Sequence, residues 1–280
     1  RIDGILGVLD QVANSTLIRD PTTPQGSATN WILNRDLRQL CPSDPKLIQR
    51  WTMAVFYFST EGNDWRFCSA TSRFCGQTDA FRDRRAFLSG DTECDWAGIT
   101  CNGDGCITEI EFEANNLGGT IATELALLTD LALLGMEEGT TGGSIPSELG
   151  SLSNLFFIDL DFNELTGTIP VELYRLRGLN ELDLNNNRLT GVLDTRIGSL
   201  RELEFFQIHN NTISGTVPTE IGNLRRLVTF TLHNNTITGE MPTEVCALRT
   251  DFFLRFLHAD CAGLDPNIQC AFPACCSTCK

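Results

Sequence analysis

The sequence predicts an α/β solenoid, a short arc of six 24-residue coils between a helical, disulfide-linked N-terminal cap and a Cys-rich C-terminal cap. Three observations predict this fold. Six consecutive stretches of 24 residues run from Ile107 to Thr250 without insertion or deletion. The thirteenth position is glycine in all six stretches, and the ninth is asparagine in five of them. Of the twelve cysteines, six precede the repeats and six lie at their end.

Each coil contains a strand, a polar turn and a second extended piece. Positions 4 and 6 are apolar in every coil, an alternation typical of a short strand with one buried face. Asparagine at position 9 can bond backbone groups where the chain leaves the strand, so stacked copies would form an asparagine ladder. Glycine at position 13 permits a close backbone approach. One coil cannot bury its own apolar stripe, so the coils must stack, and six strands about 4.8 Å apart span about 30 Å.

The block L-x-x-L-x-L-x-x-N-x-L-x-G-x-I-P resembles the plant-type leucine-rich repeat, which receptor-kinase ectodomains share with inhibitors of secreted polygalacturonases. The resemblance covers about half of the chain, residues 107–250. It implies a leucine-rich repeat solenoid whose outward strand positions bind ligands. The departures from the pattern are Gly139 in place of Asn, Ala122 and Asp194 in place of Pro, and Thr141 in place of Leu.

The cysteines predict disulfide-linked caps in an oxidising compartment, because even numbers of cysteines flank both ends of the repeats. The predicted disulfide cysteines are Cys41, Cys68, Cys75, Cys94, Cys101, Cys106, Cys246, Cys261, Cys270, Cys275, Cys276 and Cys279. A zinc site at the last three is the alternative, although only His258 lies nearby to complete it. The segment from Cys94 to Cys101 resembles the C-x-W-x-G-x-x-C element that caps plant-type repeats, and this resemblance implies a Cys94–Cys101 disulfide.

The chain divides into a helical N-terminal extension with a Cys-paired cap (1–106), six repeats (107–250) and a Cys-rich C-terminal cap (251–280). Apolar residues at helical spacing predict three helices in the first part. Their apolar stripes are Ile2, Ile5, Leu6, Leu9 and Val12; Trp31, Ile32 and Leu37; and Leu47, Ile48, Trp51, Val55 and Phe58. The second helix is expected to start near Ser27. The extension before Cys41 and the tail from Ala259 resemble secreted leucine-rich repeat proteins of diatoms and related algae.

The cysteines indicate a secreted, extracellular protein at a cell surface or in a cell wall. No run of 18 apolar residues exists in the sequence, so no membrane span is expected. The chain begins at Arg1 without Met, so a secretory signal is expected to have been removed, although a trimmed chain would look the same. The N-glycosylation sequons at Asn14, Asn210 and Asn234 agree with secretion.

The candidate ligand surface is the outward side of the predicted sheet, formed by strand positions 3, 5 and 7, which we call the concave face. The ligand-binding candidates on it are Glu111, Glu137, Phe157, Asp159, Asp161, Asp183, Phe205, His209 and His233. The aromatic Phe162 lies beside them. The first three repeats carry 12 acidic and 2 basic residues, whereas the last three carry 8 and 6, in a chain of net charge −15.

Acidic side chains stacked at strand spacing repel one another, and three explanations stay open for them. A basic partner would relieve the repulsion and be steered toward this surface. The acidic surface can instead serve only to keep a secreted protein soluble. Calcium is the third explanation, but no D-x-D-x-D-G loop is present and a flat sheet rarely encloses an ion.

Catalysis and cofactors are not expected. His209 and His233 lie one coil apart at the same position, while His258 falls one position out of register, so no fixed third zinc ligand is present. No serine lies in a G-x-S-x-G elbow, and an open sheet offers no enclosed pocket for paired carboxylates. The negative charge disfavours nucleic acid as a partner.

The leading function hypothesis is a secreted, non-catalytic recognition module that binds a protein, peptide or glycan, possibly a basic one, through the concave face. The main alternative is a structural or adhesive protein of the extracellular matrix or cell wall that associates with itself. Inhibition of a secreted hydrolase rests on the family resemblance alone. Ice binding is suggested by rows of threonines beside the position-13 glycines, such as Thr166/Thr168 and Thr190, although Glu240 breaks these rows.

Overall fold

The structure is a computed structural model that describes residues 1–72, 75–76, 81–261, 267–270 and 275–279. Its α-helices are α1 (Ile2–Leu9), α2 (Pro24–Asn34), α3 (Leu47–Ser59) and α4 (Thr243–Asp251). Its strands are β1 (Ile99–Cys101), β2 (Ile107–Glu113), β3 (Leu133–Glu137), β4 (Phe157–Asp159), β5 (Glu181–Asp183), β6 (Phe205–Gln207), β7 (Ser214–Gly215), β8 (Thr229–Thr231), β9 (Thr236–Ile237), β10 (Gly239–Glu240), β11 (Phe256–Ala259), β12 (Ile268–Gln269) and β13 (Thr278–Cys279).

The predicted solenoid is confirmed by one sheet whose strands follow the 24-residue register. Its order is β1-β2-β3-β4-β5-β6-β8-β11-β13, and all pairs after β1-β2 are parallel. Position 4 of one coil pairs with position 4 of the next, as in Ile158 with Leu182 and Leu182 with Phe206. These three side chains are fully buried, because a parallel stack places each inward residue directly on its counterpart.

The return path of each coil is a five-residue 3₁₀ helix. These helices are Thr123–Leu127, Ser147–Ser151, Val171–Arg175, Thr195–Ser199 and Thr219–Asn223. In three coils a proline in extended conformation immediately precedes the helix, at a position where the missing N–H costs no hydrogen bond. The predicted apolar residues at positions 19 and 22, such as Leu149 and Leu152, are buried against the core.

The asparagine ladder is present, and its amides join neighbouring coils. In the fourth coil Asn187 accepts a hydrogen bond from the backbone N–H of Leu165 at 2.9 Å. It donates to the carbonyl oxygens of Leu160 at 2.8 Å and Leu184 at 3.2 Å. Asn163, Asn211 and Asn235 repeat this pattern. Each amide therefore pairs backbone groups of two coils that would otherwise be buried without partners.

Replacing Asn187 with alanine is expected to lower the free energy of unfolding by about 1–3 kcal/mol, because buried backbone groups lose their hydrogen-bond partners. Urea unfolding followed by circular dichroism measures the change. The matched control is Asn223→Ala, which removes an exposed asparagine at the end of a 3₁₀ helix. An equal effect of the two substitutions would contradict a structural role for the ladder.

Gly139, where the repeat departs from asparagine, has a steric cause. A Cβ atom there would lie 2.7 Å from the carbonyl oxygen of Leu117 and 2.9 Å from the Oδ1 atom of Asn163. The missing amide is partly replaced by the Thr141 hydroxyl, which donates to the Leu117 carbonyl oxygen at 3.2 Å. The departures Gly139 and Thr141 therefore compensate for each other within one coil.

The N-terminal helices differ from the predicted ones in two respects. Helix α2 begins at Pro24 rather than near Ser27, because the Thr23 hydroxyl caps it by accepting from the N–H of Gly26 at 3.0 Å. Leu37, predicted to lie on its apolar stripe, is 81% exposed beyond its end. Helix α3 is buried on almost every side rather than along one stripe, since it packs between α2 and the first coil.

A buried ion cluster, which the sequence reading missed, joins these helices to the cap. The guanidinium of Arg50 donates to Asp36 at 2.7 and 2.9 Å and to Glu93 at 2.8 Å. It also lies about 5 Å from the ring centroids of Trp31 (5.1 Å) and Trp96 (4.9 Å). The Arg50 side chain is fully buried, so its charge depends on these two carboxylates and on the carbonyl oxygens around it.

The C-terminal segment extends the sheet beyond the six predicted coils. Strand β11 pairs in parallel with β8, with Leu257 beside Phe230 and His258 beside Thr231. The inward residue Leu254 follows Leu227 by 27 residues instead of 24, which hid this coil from the repeat pattern. Strand β13 then pairs with β11. The boundary of the C-terminal cap at residue 251 stays a prediction.

Ten of the twelve predicted disulfide cysteines are paired. The bridges are Cys68–Cys75, Cys94–Cys101, Cys246–Cys275, Cys261–Cys279 and Cys270–Cys276. The pairing of Cys94 with Cys101 confirms the bridge that the cap resemblance implies. For Cys41 and Cys106 the disulfide prediction was wrong, because both are free thiols. Cys41 is exposed, and the sulfur of Cys106 accepts a hydrogen bond from the Lys46 ammonium at 3.1 Å.

Candidate functional site

The concave face brings the predicted acidic residues together in two adjoining rows. Position 5 of the third coil, Asp159, pairs directly with Asp183 of the fourth coil. Glu111 pairs with Gly135, so no side chain separates Glu111 from the next coil at this position. Glu137 and Asp161 occupy position 7 of neighbouring coils. We call Glu137, Asp159, Asp161, Glu181 and Asp183 the acidic cluster.

The carboxylates of the acidic cluster are close enough to act on one cationic group. Oxygen atoms of Glu137, Asp159 and Asp161 lie within 4.8 Å of one another, as do those of Asp159, Glu181 and Asp183. Asp159 belongs to both triads and lies at their junction. Asp159 is 8% exposed and Asp183 is 4% exposed, so the cluster is far less accessible than side chains on a flat sheet.

Backbone and side-chain donors hold some of these oxygens in place. Asp159 accepts from the backbone N–H of Asp161 at 3.1 Å, and Asp183 accepts from that of Asn185 at 3.0 Å. The side chains of Asn185 and Gln207 also donate to Asp183. One oxygen of Asp161 is buried without a hydrogen-bond partner. The cluster is therefore more strongly stabilised at Asp183 than at its centre.

Burial and mutual repulsion raise the pKa values of the cluster. Burial raises the pKa of Asp159 to about 8, with Asp183, Glu137 and Asp161 adding repulsion. The same causes, burial first, raise the pKa of Glu137 to about 7 and that of Asp183 to about 7. Burial also raises the pKa values of Asp161 and Glu181. The formal charge of this surface therefore overstates its charge at neutral pH.

Two aromatic side chains flank the cluster at position 3. Phe157 and Phe205 are both half-buried, and Glu181 lies between them in the register of β4, β5 and β6. Phe162 follows β4 and is 51% exposed. Its backbone is left-handed (φ +47°), a conformation that every coil adopts at position 8 and that turns this ring away from the core.

The histidines form a row at the other end of the concave face. The rings of His209 and His233 stack with centroids 4.6 Å apart, as their shared position predicts. His258 was placed out of register by the sequence, but the longer seventh coil brings its ring within 6.1 Å of His233. His209 bonds the Thr231 hydroxyl through Nδ1 at 2.8 Å, and His233 is only 4% exposed. This row is therefore packed rather than open.

A metal ion would find too few ligands here. Each acidic triad offers three carboxylates, whereas calcium takes six to eight oxygen ligands. The cysteine group of Cys261, Cys270 and Cys276 is consumed by disulfides. Within the described residues the acidic triads are thus better suited to an ammonium or guanidinium group than to an enclosed ion.

The predicted glycosylation sites differ in accessibility. Asn14 and Asn234 are exposed, whereas Asn210 is half-buried. The Asn210 amide donates to Asn186 at 2.7 Å and accepts from Asn234 at 2.6 Å. A glycan on Asn210 would compete with these bonds, so Asn14 and Asn234 are the better candidates. Glycosylation at all three sites stays a prediction.

The threonine rows near position 13 are engaged by the fold itself. The hydroxyl of Thr166 donates to the carbonyl oxygen of Gly143 at 3.2 Å, and that of Thr190 donates to Gly167 at 3.1 Å. These bonds link consecutive coils, so the spacing of the rows has a structural cause.

Two residues of the concave face escaped the sequence-based list of candidates. Glu181 belongs to one acidic triad, and Asn185 donates to both Asp183 and Asp161. Both residues occupy the outward positions 3 and 7 of the fourth coil. The repeat register would have identified them if every outward position had been listed.

The fold and the outward strand surface define a leucine-rich repeat solenoid. The family model described as Leucine Rich Repeat matches residues 178–200 and 202–224. No curated protein matches the chain. Among the described residues no helix is long and apolar enough to cross a membrane.

Solved structures of plant receptors are similar to this chain. The ectodomain of the Arabidopsis receptor kinase HAESA, in complex with an IDA peptide hormone ligand, is 26% identical with a TM-score of 0.56, over 65% of this chain and 30% of that one. The PEPR1–AtPEP1 structure is 27% identical with a TM-score of 0.57, over 65% of this chain and 26% of that one. A TDR receptor is 32% identical with a TM-score of 0.51, over 58% of this chain and 27% of that one. The chain therefore spans less than a third of the length of these receptors.

Proposed function

We propose that this protein is a secreted, non-catalytic recognition module that binds an extended peptide or protein segment with basic side chains on its concave face. The observation that carries the proposal is the acidic cluster, whose two triads share Asp159 between the half-buried rings of Phe157 and Phe205. The HAESA ectodomain, which binds a peptide hormone, supports an extended ligand on this fold. The five disulfides support an extracellular location.

The chemistry of the cluster favours a cationic group over a neutral one. Its carboxylates repel one another, and burial raises their pKa values. An ammonium or guanidinium group placed between them would stabilise their ionised forms and displace their protons. The aromatic rings on either side can pack against the apolar stem of the same side chain or against its neighbours. Lysine and arginine carry both features.

The cluster is proposed to bind rather than to catalyse because its carboxylates lie along an open strand surface. A general acid or base acts on a reacting group held at a fixed distance, which requires a pocket around the substrate. The described residues around Asp159 are flat strand positions of neighbouring coils. Self-association, hydrolase inhibition, ice binding and glycan binding on this face stay predictions.

Peptide phage display against the wild-type protein tests the proposal. Selected peptides are expected to be rich in lysine or arginine and to lose at least about tenfold in affinity toward Asp159→Asn/Asp183→Asn, which corresponds to about 1.4 kcal/mol. Affinity is also expected to rise between pH 6 and pH 8, because the pKa values of Glu137, Asp159 and Asp183 lie at about 7 or 8 and the ionised forms bind the cation.

The matched control is Glu172→Gln/Glu220→Gln, which removes the same charge from the 3₁₀ helices on the opposite side of the coils. It is expected to bind the selected peptides as the wild type does. Peptides without basic residues, or equal loss of affinity in both double variants, would refute the proposed site. Calcium titration in the same assay tests the metal alternative, since a tight calcium site would exclude the peptide's basic group.

A further inference from the structure

A column of arginines runs along the edge of the solenoid, away from the concave face. Position 23 of a coil lies in the turn that leads from the 3₁₀ helix back to the next strand. In the last four coils this position is arginine, whereas the first two coils have Thr129 and Ser153. The four arginines are Arg177, Arg201, Arg225 and Arg249. Because the coils stack in register about 4.8 Å apart, these side chains recur along one line.

Two further arginines widen this column into a surface. Arg196 lies in the 3₁₀ helix of the fourth coil, and Arg226 follows Arg225. We call the surface formed by Arg177, Arg196, Arg201, Arg225, Arg226 and Arg249 the arginine edge. A groove of about 640 Å³ is lined by Arg177, Arg196, Arg201, Thr195, Gly198, Ser199 and Glu202. A second groove, of about 320 Å³, is lined by Arg201, Asn223, Arg225 and Arg226. Arg201 borders both grooves, so they are adjacent.

The arginine edge has more positive charge than its neighbours neutralise. Asp194 pairs with Arg196 at 2.7 Å, and Glu202 pairs with Arg226 at 2.7 Å. Six arginines and these two acids leave a local net charge of +4 in a chain of net charge −15. Neither Arg177 nor Arg201 has an acidic partner within the described ranges of the chain.

The remaining contacts of the edge leave its charge available. The Arg225 guanidinium lies 5.3 Å from the ring centroid of Phe252, and Arg249 donates to the carbonyl oxygen of Arg255 at 3.1 Å. A row of glutamates, including Glu172 and Glu220, lies at the start of the 3₁₀ helices. The arginine column follows the ends of these helices, and five residues of 3₁₀ helix are about 10 Å long. The two rows therefore run parallel without pairing.

We propose that the arginine edge binds a linear acidic polysaccharide lying along the solenoid axis. Guanidinium groups bind carboxylate or sulfate oxygens in a planar, two-pronged geometry. A column with one arginine per coil fits anionic groups that recur along an extended chain, whereas a single small anion would occupy only one step. The grooves also present the polar groups of Thr195, Ser199 and Asn223, which suit sugar hydroxyls.

A second copy of this chain and a nucleic acid fit the edge less well. The acidic cluster of another copy is half-buried and partly protonated near neutral pH, so it presents little charge to arginines. A single-stranded nucleic acid needs aromatic rings on which successive bases stack. Between Arg177 and Arg225 the two grooves are lined by arginine, hydroxyl, amide and carboxylate side chains and one glycine, with no ring among them.

Binding to hyaluronate, dextran sulfate and neutral dextran, measured by biolayer interferometry, tests this proposal. The wild type is expected to bind hyaluronate or dextran sulfate, to ignore neutral dextran, and to bind more weakly as salt rises. Arg177→Gln/Arg201→Gln is expected to bind about tenfold more weakly, through the loss of two charge-assisted contacts. Preference for hyaluronate assigns a carboxylate as the recognised group, and preference for dextran sulfate assigns a sulfate.

Matched variants separate this surface from general charge and from the concave face. Arg85→Gln/Arg188→Gln removes two exposed arginines, each paired with an acid, and is expected to bind the polysaccharide as the wild type does. Asp159→Asn/Asp183→Asn is also expected to retain polysaccharide binding, so that failure of the concave-face proposal leaves this one intact. The proposal is overturned by an absence of binding, by equal losses in the two arginine variants, or by a thymidine oligonucleotide binding as tightly as the polysaccharide.

Discussion

Replacing Arg50 with alanine is expected to lower the free energy of unfolding by about 3–5 kcal/mol, the usual cost of breaking a buried ion pair by removing one partner. The substitution would leave Asp36 and Glu93 without their cation, although both are 4% exposed or less. It would also open space beside Trp31 and Trp96, whose rings lie about 5 Å (5.1 and 4.9 Å) from the guanidinium. Urea unfolding followed by tryptophan fluorescence measures the loss.

Two controls identify the cause of this effect. Arg188→Ala removes an exposed arginine that pairs with Glu164 at 3.0 Å, and its cost is expected to stay below about 1 kcal/mol. Replacing the whole ion cluster by apolar residues (Arg50→Met with Asp36→Leu and Glu93→Met) is expected to recover much of the stability, because no buried charge remains unpaired. A loss below about 1 kcal/mol for Arg50→Ala would show that the cluster contributes little.

Asp159→Asn is expected to stabilise the protein at pH 8 by about 2–5 kcal/mol and to leave its stability at pH 4 nearly unchanged. Burial, together with neighbouring carboxylates, raises the pKa of Asp159 from 3.8 to about 8. Between these two pH values the folded protein holds a proton at this carboxyl that the unfolded chain has released. The stability of the wild type should therefore fall as pH rises from about 4 to about 8.

Chemical unfolding at pH 4, 6 and 8 compares the wild type with Asp159→Asn. The difference between them should grow with pH, since asparagine carries no charge at any of these values. Glu148→Gln, which removes an exposed carboxylate from a 3₁₀ helix, is the matched control. A constant difference across the three pH values would contradict a raised pKa at Asp159.

The raised pKa values also connect stability with the proposed function. A carboxylate that destabilises the free protein at pH 8 becomes favourable when a ligand's cationic group lies beside it. The repulsion among Glu137, Asp159 and Asp183 would then be relieved by binding, and the ligand should stabilise the folded protein more strongly at pH 8 than at pH 6. The same surface would thus be least stable when empty and most receptive to a basic ligand.

Most of the repeat architecture could be predicted from the sequence because its determinants are local and periodic. The inward residues at position 4, the asparagines at position 9 and the stacking of His209 on His233 all follow from a spacing of 24 residues. The seventh coil could not be predicted in the same way. Its inward residue Leu254 lies 27 residues after Leu227, and this insertion moved His258 in the sequence register but not in the sheet.

The N-terminal helices show the limit of pattern reading from the other side. The spacing of Leu47, Trp51 and Val55 correctly predicted α3, because these residues share one face of a helix. It did not predict that Arg50 would be buried, since nothing local distinguishes an arginine that meets two carboxylates from one that meets water. Likewise, the even cysteine count suggested complete pairing, whereas Cys41 and Cys106 found no partner.

By itself, the sequence determined the solenoid, its register and which residues face outward from the strands, because a repeated pattern must stack to bury its apolar positions. Only the tertiary structure decided the properties of those outward residues. Stacking buries Asp159 and Asp183 beside other carboxylates and raises their pKa values, while it leaves the arginine edge exposed. Charge is a property of a residue, but its strength depends on the solvent and neighbours that the fold provides.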